Sequence, residues 1–327
     1  MSFPTRAGKF FSRKEVPTTA QQTIPYQEIY PDGICRVDEH FFTKTVEFFD
    51  INYQLAQNED KTLIFENYCD FLNYFDSSIR VQLSFVNQMV DVEEYHKAID
   101  IPEQKDAFNS IRREYVAMLK NQLAKGNNGL VKRKYITFGI QADSLKAAKL
   151  RLERIEADVL SNFKVLGVKA CPLNGKERLA LLHQMMNGYD KRKFHFDWKE
   201  IAKTGMSTKD FIAPDSFSFQ NKNRFQMGKT CGAVSFLQIT APELTDRMLA
   251  EFLDLDSSMV VSPHIQSIDQ STALKNVKHK LSALDHLRIE EQKKAVRAGY
   301  DMEELPPDIV TYGTEAQSLL EDLQSRK

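Results

Sequence analysis

The residues from Thr45 to Phe85 restrict the possible folds most tightly, because they spell strand, helix and strand in succession. In "TVEFFDI", Val46, Phe48 and Phe49 form the β-branched and aromatic run that suits a strand. Asn58 can cap the helix that follows, with Glu59 and Asp60 where its first turn favours negative charge. Ile64, Phe65, Tyr68, Phe71, Leu72 and Phe75 then recur at helical spacing and predict one wide apolar stripe. After the break at Asp76-Ser77-Ser78, Ile79, Val81, Leu83 and Phe85 alternate with Arg80, Gln82 and Ser84, the pattern of a half-buried strand. Burial of large apolar side chains at about 1.5–3 kcal/mol each makes this unit a plausible folding nucleus.

The flanking sequence extends the pattern. Residues 1–22 are polar and basic and read as a disordered lead-in, and Pro31-Asp32-Gly33 turns into a short strand around Ile34–Val37. Ile111, Tyr115, Met118, Leu119 and Leu123 predict a helical arm within 91–125, broken near Pro102 and ended by Gly126 to Gly129. A strand over Lys132–Gln141, a helix from Leu145 to Phe163, a strand through Val165, Leu166 and Val168, and a short helix over Lys176–Met186 complete a first α/β module at 23–189. Residues 190–224 read either as a linker or as a loop packed across an interface. The opening then recurs as a strand at Ala233–Thr240, a helix at Glu243–Leu253 and a strand at Met259–Ile268, followed by a charged helical hairpin at 271–327. The expected class is α+β: a ferredoxin-like βαβ-arm-βαβ module, then a truncated βαβ-plus-helical-arm module at 225–327. The missing half-repeat predicts an N-terminal fragment of a longer protein.

Composition narrows the function classes. Lys and Arg number 44 against 45 Asp and Glu, a net charge of −1, which argues against an extended basic surface for DNA as the dominant design. No run approaches the ~18 apolar residues of a membrane span, and the N-terminus has no apolar signal core. Cys35, Cys69, Cys171 and Cys231 are scattered without a C-x-x-C pair and read as reduced, mostly buried thiols.

Several local constellations carry possible chemistry. "MGKTCG" at 227–232 imitates the end of a phosphate-binding loop, but Asn223 stands where the pattern needs glycine, and a strand rather than a helix is expected next. Its reading is a β-turn. Lys191, Arg192 and Lys193, followed by Phe194, His195, Phe196 and Trp198, interleave cations with aromatics as single-strand nucleic-acid binders do, but the favoured reading is a solvated charge run beside a hydrophobic clamp between modules. Lys132-Arg133-Lys134 is a weaker version. His195-x-Asp197 and His279 with His286 lack a third ligand at a supporting spacing. No Gly-x-Ser-x-Gly elbow and no paired carboxylates mark a catalytic centre, so no catalytic, cofactor or metal residue is assigned.

Four phrases, "QQTIPYQEIYPDGICRV", "DINYQLAQNEDKTLIFENYCDFLNYFDSSI", "KRKFHFDWKEIAKTGMSTKDFIAPDSF" and "KHKLSALDHL", together resemble the conjugative motor ATPases of type IV secretion (the VirB/TraE/TrbE/CagE group) in the form carried by Gram-positive conjugative elements. The likeness runs from about residue 20 to the end. Such proteins have an N-terminal α/β region followed by an ATPase domain with Walker motifs, and only the N-terminal part is matched. The resemblance therefore implies no enzyme activity in this chain, with ATP and magnesium expected only for the absent motor domain. It implies a scaffold that is cytoplasmic and peripheral at the inner face of the cell membrane. Its expected partners are other secretion subunits, its own ATPase domain and further copies of itself. The alternative is a nucleic-acid-binding module that touches transferred DNA through Lys191–Trp198.

Overall fold

The computed structural model describes residues 17–51, 53–89, 99–125, 130–187, 194–238, 251–252, 255, 257–297 and 307–325. Its class is mixed α+β. The elements of the first half are α1 (Ala20–Thr23), β1 (Glu28–Ile29), β2 (Cys35–Arg36), β3 (Phe41–Phe48), α2 (Asn58–Asn73), β4 (Ile79–Met89), α3 (Asn109–Lys125), β5 (Leu130–Gln141), α4 (Leu145–Val165), β6 (Ala170–Pro172) and α5 (Gly175–Asn187). The second half adds α6 (Trp198–Thr204), β7 (Phe217–Ser218), β8 (Phe225–Met227), β9 (Thr230–Gly232), β10 (Met259–Val261), β11 (His264–Gln266), α7 (Gln270–Arg297) and α8 (Pro307–Ser325).

The chain divides into two compact units, one of Met1–Leu72 with Val81–Ile265 and one of Asn73–Arg80 with Gln266–Lys327. In the first, a sheet runs β1-β2-β3-β5-β4-β10, with β6 also on β3 and β11 also on β4. Strand β3 is central: it pairs antiparallel with β5 from Phe41↔Gln141 to Phe48↔Lys134, and its other edge takes β2 at Thr43 and Phe42 and β6 at Val46 to Phe48. Because side chains alternate across a strand, Phe42, Val46, Ile136, Phe138 and Ile140 bury on one face. Helix α4 covers that face through Ala148, Leu152, Ile155, Val159 and Phe163, a helical series begun by Ser144, whose hydroxyl accepts from the Ala147 N–H. Lys44 reaches from the same face to Glu156 at 2.8 Å, and Phe48 stacks on Phe163 with ring centroids 5.2 Å apart. Thr43 and Tyr135 face the other way, where α5 lies.

Several expectations need correction. The strand through Val165, Leu166 and Val168 is not formed: α4 runs on to Val165, and Gly167, at φ 73°, ends it with Val168 N–H on Phe163 O and Gly167 N–H on Lys164 O. These bonds satisfy the last helical carbonyls, so only Ala170–Pro172 is left to pair with β3. The stripe on α2 is only partly used: Phe71 is buried, whereas Phe65 and Tyr68 are exposed. Residues 17–23, assigned largely to the lead-in, contain a helical turn capped by Thr19, while 1–16 lie outside the described residues.

The expected second module also differs. Ala233 to Gln238 form no strand, and most of the helix expected over Glu243–Leu253 lies outside the described residues. The stretch Met259–Ile268 breaks into β10 and β11, which pair with β4, so an edge of the first sheet takes up their backbone groups in place of a second sheet. Strands β7, β8 and β9 make a separate antiparallel sheet. In the second unit, α7 and α8 form the expected hairpin, tied where Gln270 Nε2 donates to Leu323 O at 2.7 Å, and the Ser267 hydroxyl donates to Phe75 O.

Candidate functional site

The segment 194–217 folds onto the first unit rather than linking two bodies. Asp197 caps α6, its carboxylate accepting from the Lys199 N–H at 3.0 Å, and Gly205 closes the helix. Ser207 and Asp210 then form a reciprocal capping box around the short turn Thr208–Phe211. These two turns bring Phe196 and Ile212 into one buried cluster with Ile24, Tyr26, Ile29, Cys35 and Leu179. Phe196 meets Trp198 and Phe211 edge-on at 4.8 and 4.9 Å. Asn187, on α5, donates to Ile212 O at 2.9 Å.

The polar centre of this region is Arg178. Helix α5 starts on a second reciprocal box, Asn174 N–H to Glu177 and Glu177 N–H to Asn174, which points Arg178 at the sheet. Its guanidinium donates to Gly33 O at 3.0 Å, Thr43 O at 2.8 Å and Thr43 Oγ1 at 2.7 Å. Burial lowers its pKa, opposed by the neighbouring Cys35 and Tyr26. Burial raises the Cys35 thiol despite Arg178. Tyr26 is raised by burial as well, and its hydroxyl shares a hydrogen bond with Thr208 at 3.2 Å. Lys209 Nζ donates to Ile24 O at 3.1 Å and lies over the Tyr26 ring. With its donors on neutral acceptors, the cluster fastens the chain's early segment to α5 and to the turn at Thr208. It acts as a latch between these segments.

The proposed contact residues separate. Lys191, Arg192 and Lys193 lie outside the described residues. Phe194 and Trp198 are half-buried against the Phe196 cluster, with Phe194 stacked on Phe196 at 6.0 Å, so both rings serve packing. On β5, Arg133 is 3.8 Å from Glu47, and Lys134 pairs with Asp50. Gly228 and Lys229 join β8 to β9 as a two-residue hairpin turn with Gly228 at φ 53°, and the irregular residues 233–238 follow, so Lys229 does not sit at a helix N-terminus. His195 is exposed near Glu200, His279 and His286 lie along α7, and among the described residues no three His, Cys, Asp or Glu side chains gather as metal ligands would. All four cysteines are free; Cys35 is buried, Cys69 is intermediate, and Cys171 and Cys231 are exposed, so the expectation of mostly buried thiols holds for Cys35 alone.

Two features escaped the sequence reading. Arg178 sits between Glu177 and Leu179 and looks like any helix-surface cation until the fold buries it. The second is a cleft of about 470 Å³ lined by Val86, Met185, Met227, Cys231, Val234 and Val260 among others. Its walls come from stretches far apart in the chain, so no local motif announces it.

No protein-family model matches the sequence, and no curated protein matches it.

Proposed function

We propose that the chain is the N-terminal docking and scaffold portion of a type IV secretion ATPase of conjugative DNA transfer, itself without ATP turnover. The observation that carries this reading is the resemblance of four long phrases to that family. The geometry supports it in one respect: two of those phrases meet, the first supplying Ile24, Tyr26, Ile29 and Cys35 and the third supplying Phe196 and Ile212 to one buried cluster. Among the described residues no helix is long and apolar enough to cross a membrane, and the proposed location is peripheral, at the inner face of the cell membrane. The ferredoxin-like reading belongs to the same proposal, supported by β6, β3, β5 and β4 standing side by side.

The test expresses the tagged chain in cells that carry the matching conjugative element. It should co-purify with the inner-membrane secretion subunits and show no ATP hydrolysis above background. Turnover abolished by Lys229→Ala, or no co-purification from cells with an assembled apparatus, overturns the proposal. A DNA titration at two salt concentrations checks the alternative, which requires saturable binding that weakens steeply with salt.

A further inference from the structure

Strand β10 ends the described sheet order, so its outer edge has no described partner strand. Which peptide groups face outward follows from the register. Met259, Val260 and Val261 stand opposite Asn87, Val86 and Phe85, and the Leu83 N–H donates to Pro263 O at 3.0 Å, continuing the same register. In an antiparallel ladder alternate residues turn both peptide groups to the partner. Met259, Val261 and Pro263 therefore face β4, and Val260, Ser262 and His264 offer N–H and C=O to the open side. The proline does not blunt that edge, because the N–H it lacks belongs to the β4 side. The stretch Met259–His264 has no Lys, Arg, Asp or Glu, the residues that commonly guard an edge.

The same cleft is lined by the start of a segment with the opposite need. Ala233–Gln238 reads A-V-S-F-L-Q, free of charge and of proline and rich in strand-forming residues, yet it is irregular. Val234 is 85% exposed and Phe236 87%, the values of side chains with almost nothing packed on them. Ala233, Val234 and Ser235 line the same cleft as Ser258, Met259 and Val260, together with Val86 and Met185.

We propose that two copies of this chain associate by reciprocal strand addition, Ala233–Gln238 of each pairing with the outer edge of β10–β11 of the other. The added strand continues the ladder that β10 already makes with β4, and it carries Phe236 toward the methionine-lined cleft, where a flexible thioether adapts to an aromatic ring. A two-fold arrangement fills both edges and both segments at once and then closes. The docking reading expects further copies of the chain among its partners; this inference adds which edge and which segment meet, and its test is read on the purified chain without any secretion subunit.

The test is sedimentation of the purified full chain over a concentration series. The expected result is a monomer–dimer equilibrium in which Val260→Pro, which removes an outward N–H and leaves the β4 ladder intact, raises the dimer Kd by at least about tenfold. Phe236→Lys, at an exposed position that the fold of one copy does not need, should do the same, with far-UV circular dichroism and melting unchanged. For a direct readout, Phe236→Cys and Ser262→Cys variants in a Cys171→Ser/Cys231→Ser background should cross-link through a short bismaleimide only when mixed. A chain that stays monomeric to about 100 µM, a dimer indifferent to both substitutions, or open-ended polydisperse assemblies would overturn the proposal.

Discussion

Replacing Phe196 with alanine tests whether residues 194–217 belong to the core of the first unit. The ring is 3% exposed and lies edge-on to Trp198 and Phe211 at 4.8 and 4.9 Å. Truncating a fully buried phenylalanine costs about 3–5 kcal/mol, through lost transfer free energy and the cavity left behind. Each edge-on aromatic pair adds about 0.5–1.5 kcal/mol beyond area burial, which places this site toward the upper part of that range. The control is Phe219→Ala, just beyond that stretch: the ring is 63% exposed and its loss should cost under about 0.5 kcal/mol. Trp198 is the single tryptophan and lies inside the cluster, so its fluorescence in a urea titration reports this unit directly. With a slope of about 3 kcal/mol/M, the Phe196→Ala midpoint should fall by more than about 1 M while that of Phe219→Ala barely moves. Ile212→Ala, at a fully buried position, should lower it by a comparable amount. Equal midpoints for Phe196→Ala and Phe219→Ala would refute the reasoning and restore a linker.

Lys44 and Glu156 pair at 2.8 Å with side chains 7% and 19% exposed; Lys44→Met should cost about 3–5 kcal/mol by stranding the carboxylate, and Lys44→Met/Glu156→Leu should recover most of it in a double-mutant cycle. Gly33 has φ 82°, and a Cβ there would lie 2.1 Å from Leu173 O, so Gly33→Ala should destabilise by more than the roughly 1–2 kcal/mol of the left-handed conformation alone, read as a lower melting temperature. Burial acts to raise the Asp32 carboxyl, but the Lys149 ammonium at 2.8 Å and the Ile34 N–H outweigh it and hold it below its ordinary value. Its stabilisation is therefore present above the unfolded carboxylate pKa of about 3.9 and is lost as pH falls through the lower folded value; Asp32→Asn should flatten the acid limb of a stability–pH curve.

Much of the first unit was legible because its signals are local and periodic. The series Ala148, Leu152, Ile155, Val159 and Phe163 announces both a helix and its buried face, while the choice of Ser144 over Asp143 as its cap is seen only in the structure. The end of that helix was misread because Val165, Leu166 and Val168 look like a strand by composition, while Gly167 between them is the helix stop. On α2 the same periodicity overstated burial: Phe65 and Tyr68 have helical spacing with Phe71, yet the inward arc excludes them. The basic and aromatic run at 191–198 was ambiguous from the start. Packing decides its aromatic part, since Phe194 and Trp198 close over the Phe196 cluster.

Chain order and side-chain period alone determined that this protein has a mixed α+β class, where most of its helices lie, and that its tail is a helical hairpin, because those properties depend on neighbours a few residues apart. Tertiary structure alone decided that Met259–Gln266 joins the first sheet rather than starting another, that Arg178 is buried, and that Phe196 and Ile212 enter the core of the first unit. Each of these turns on which distant backbone edge or apolar face a segment meets, and that encounter leaves no mark in the local sequence.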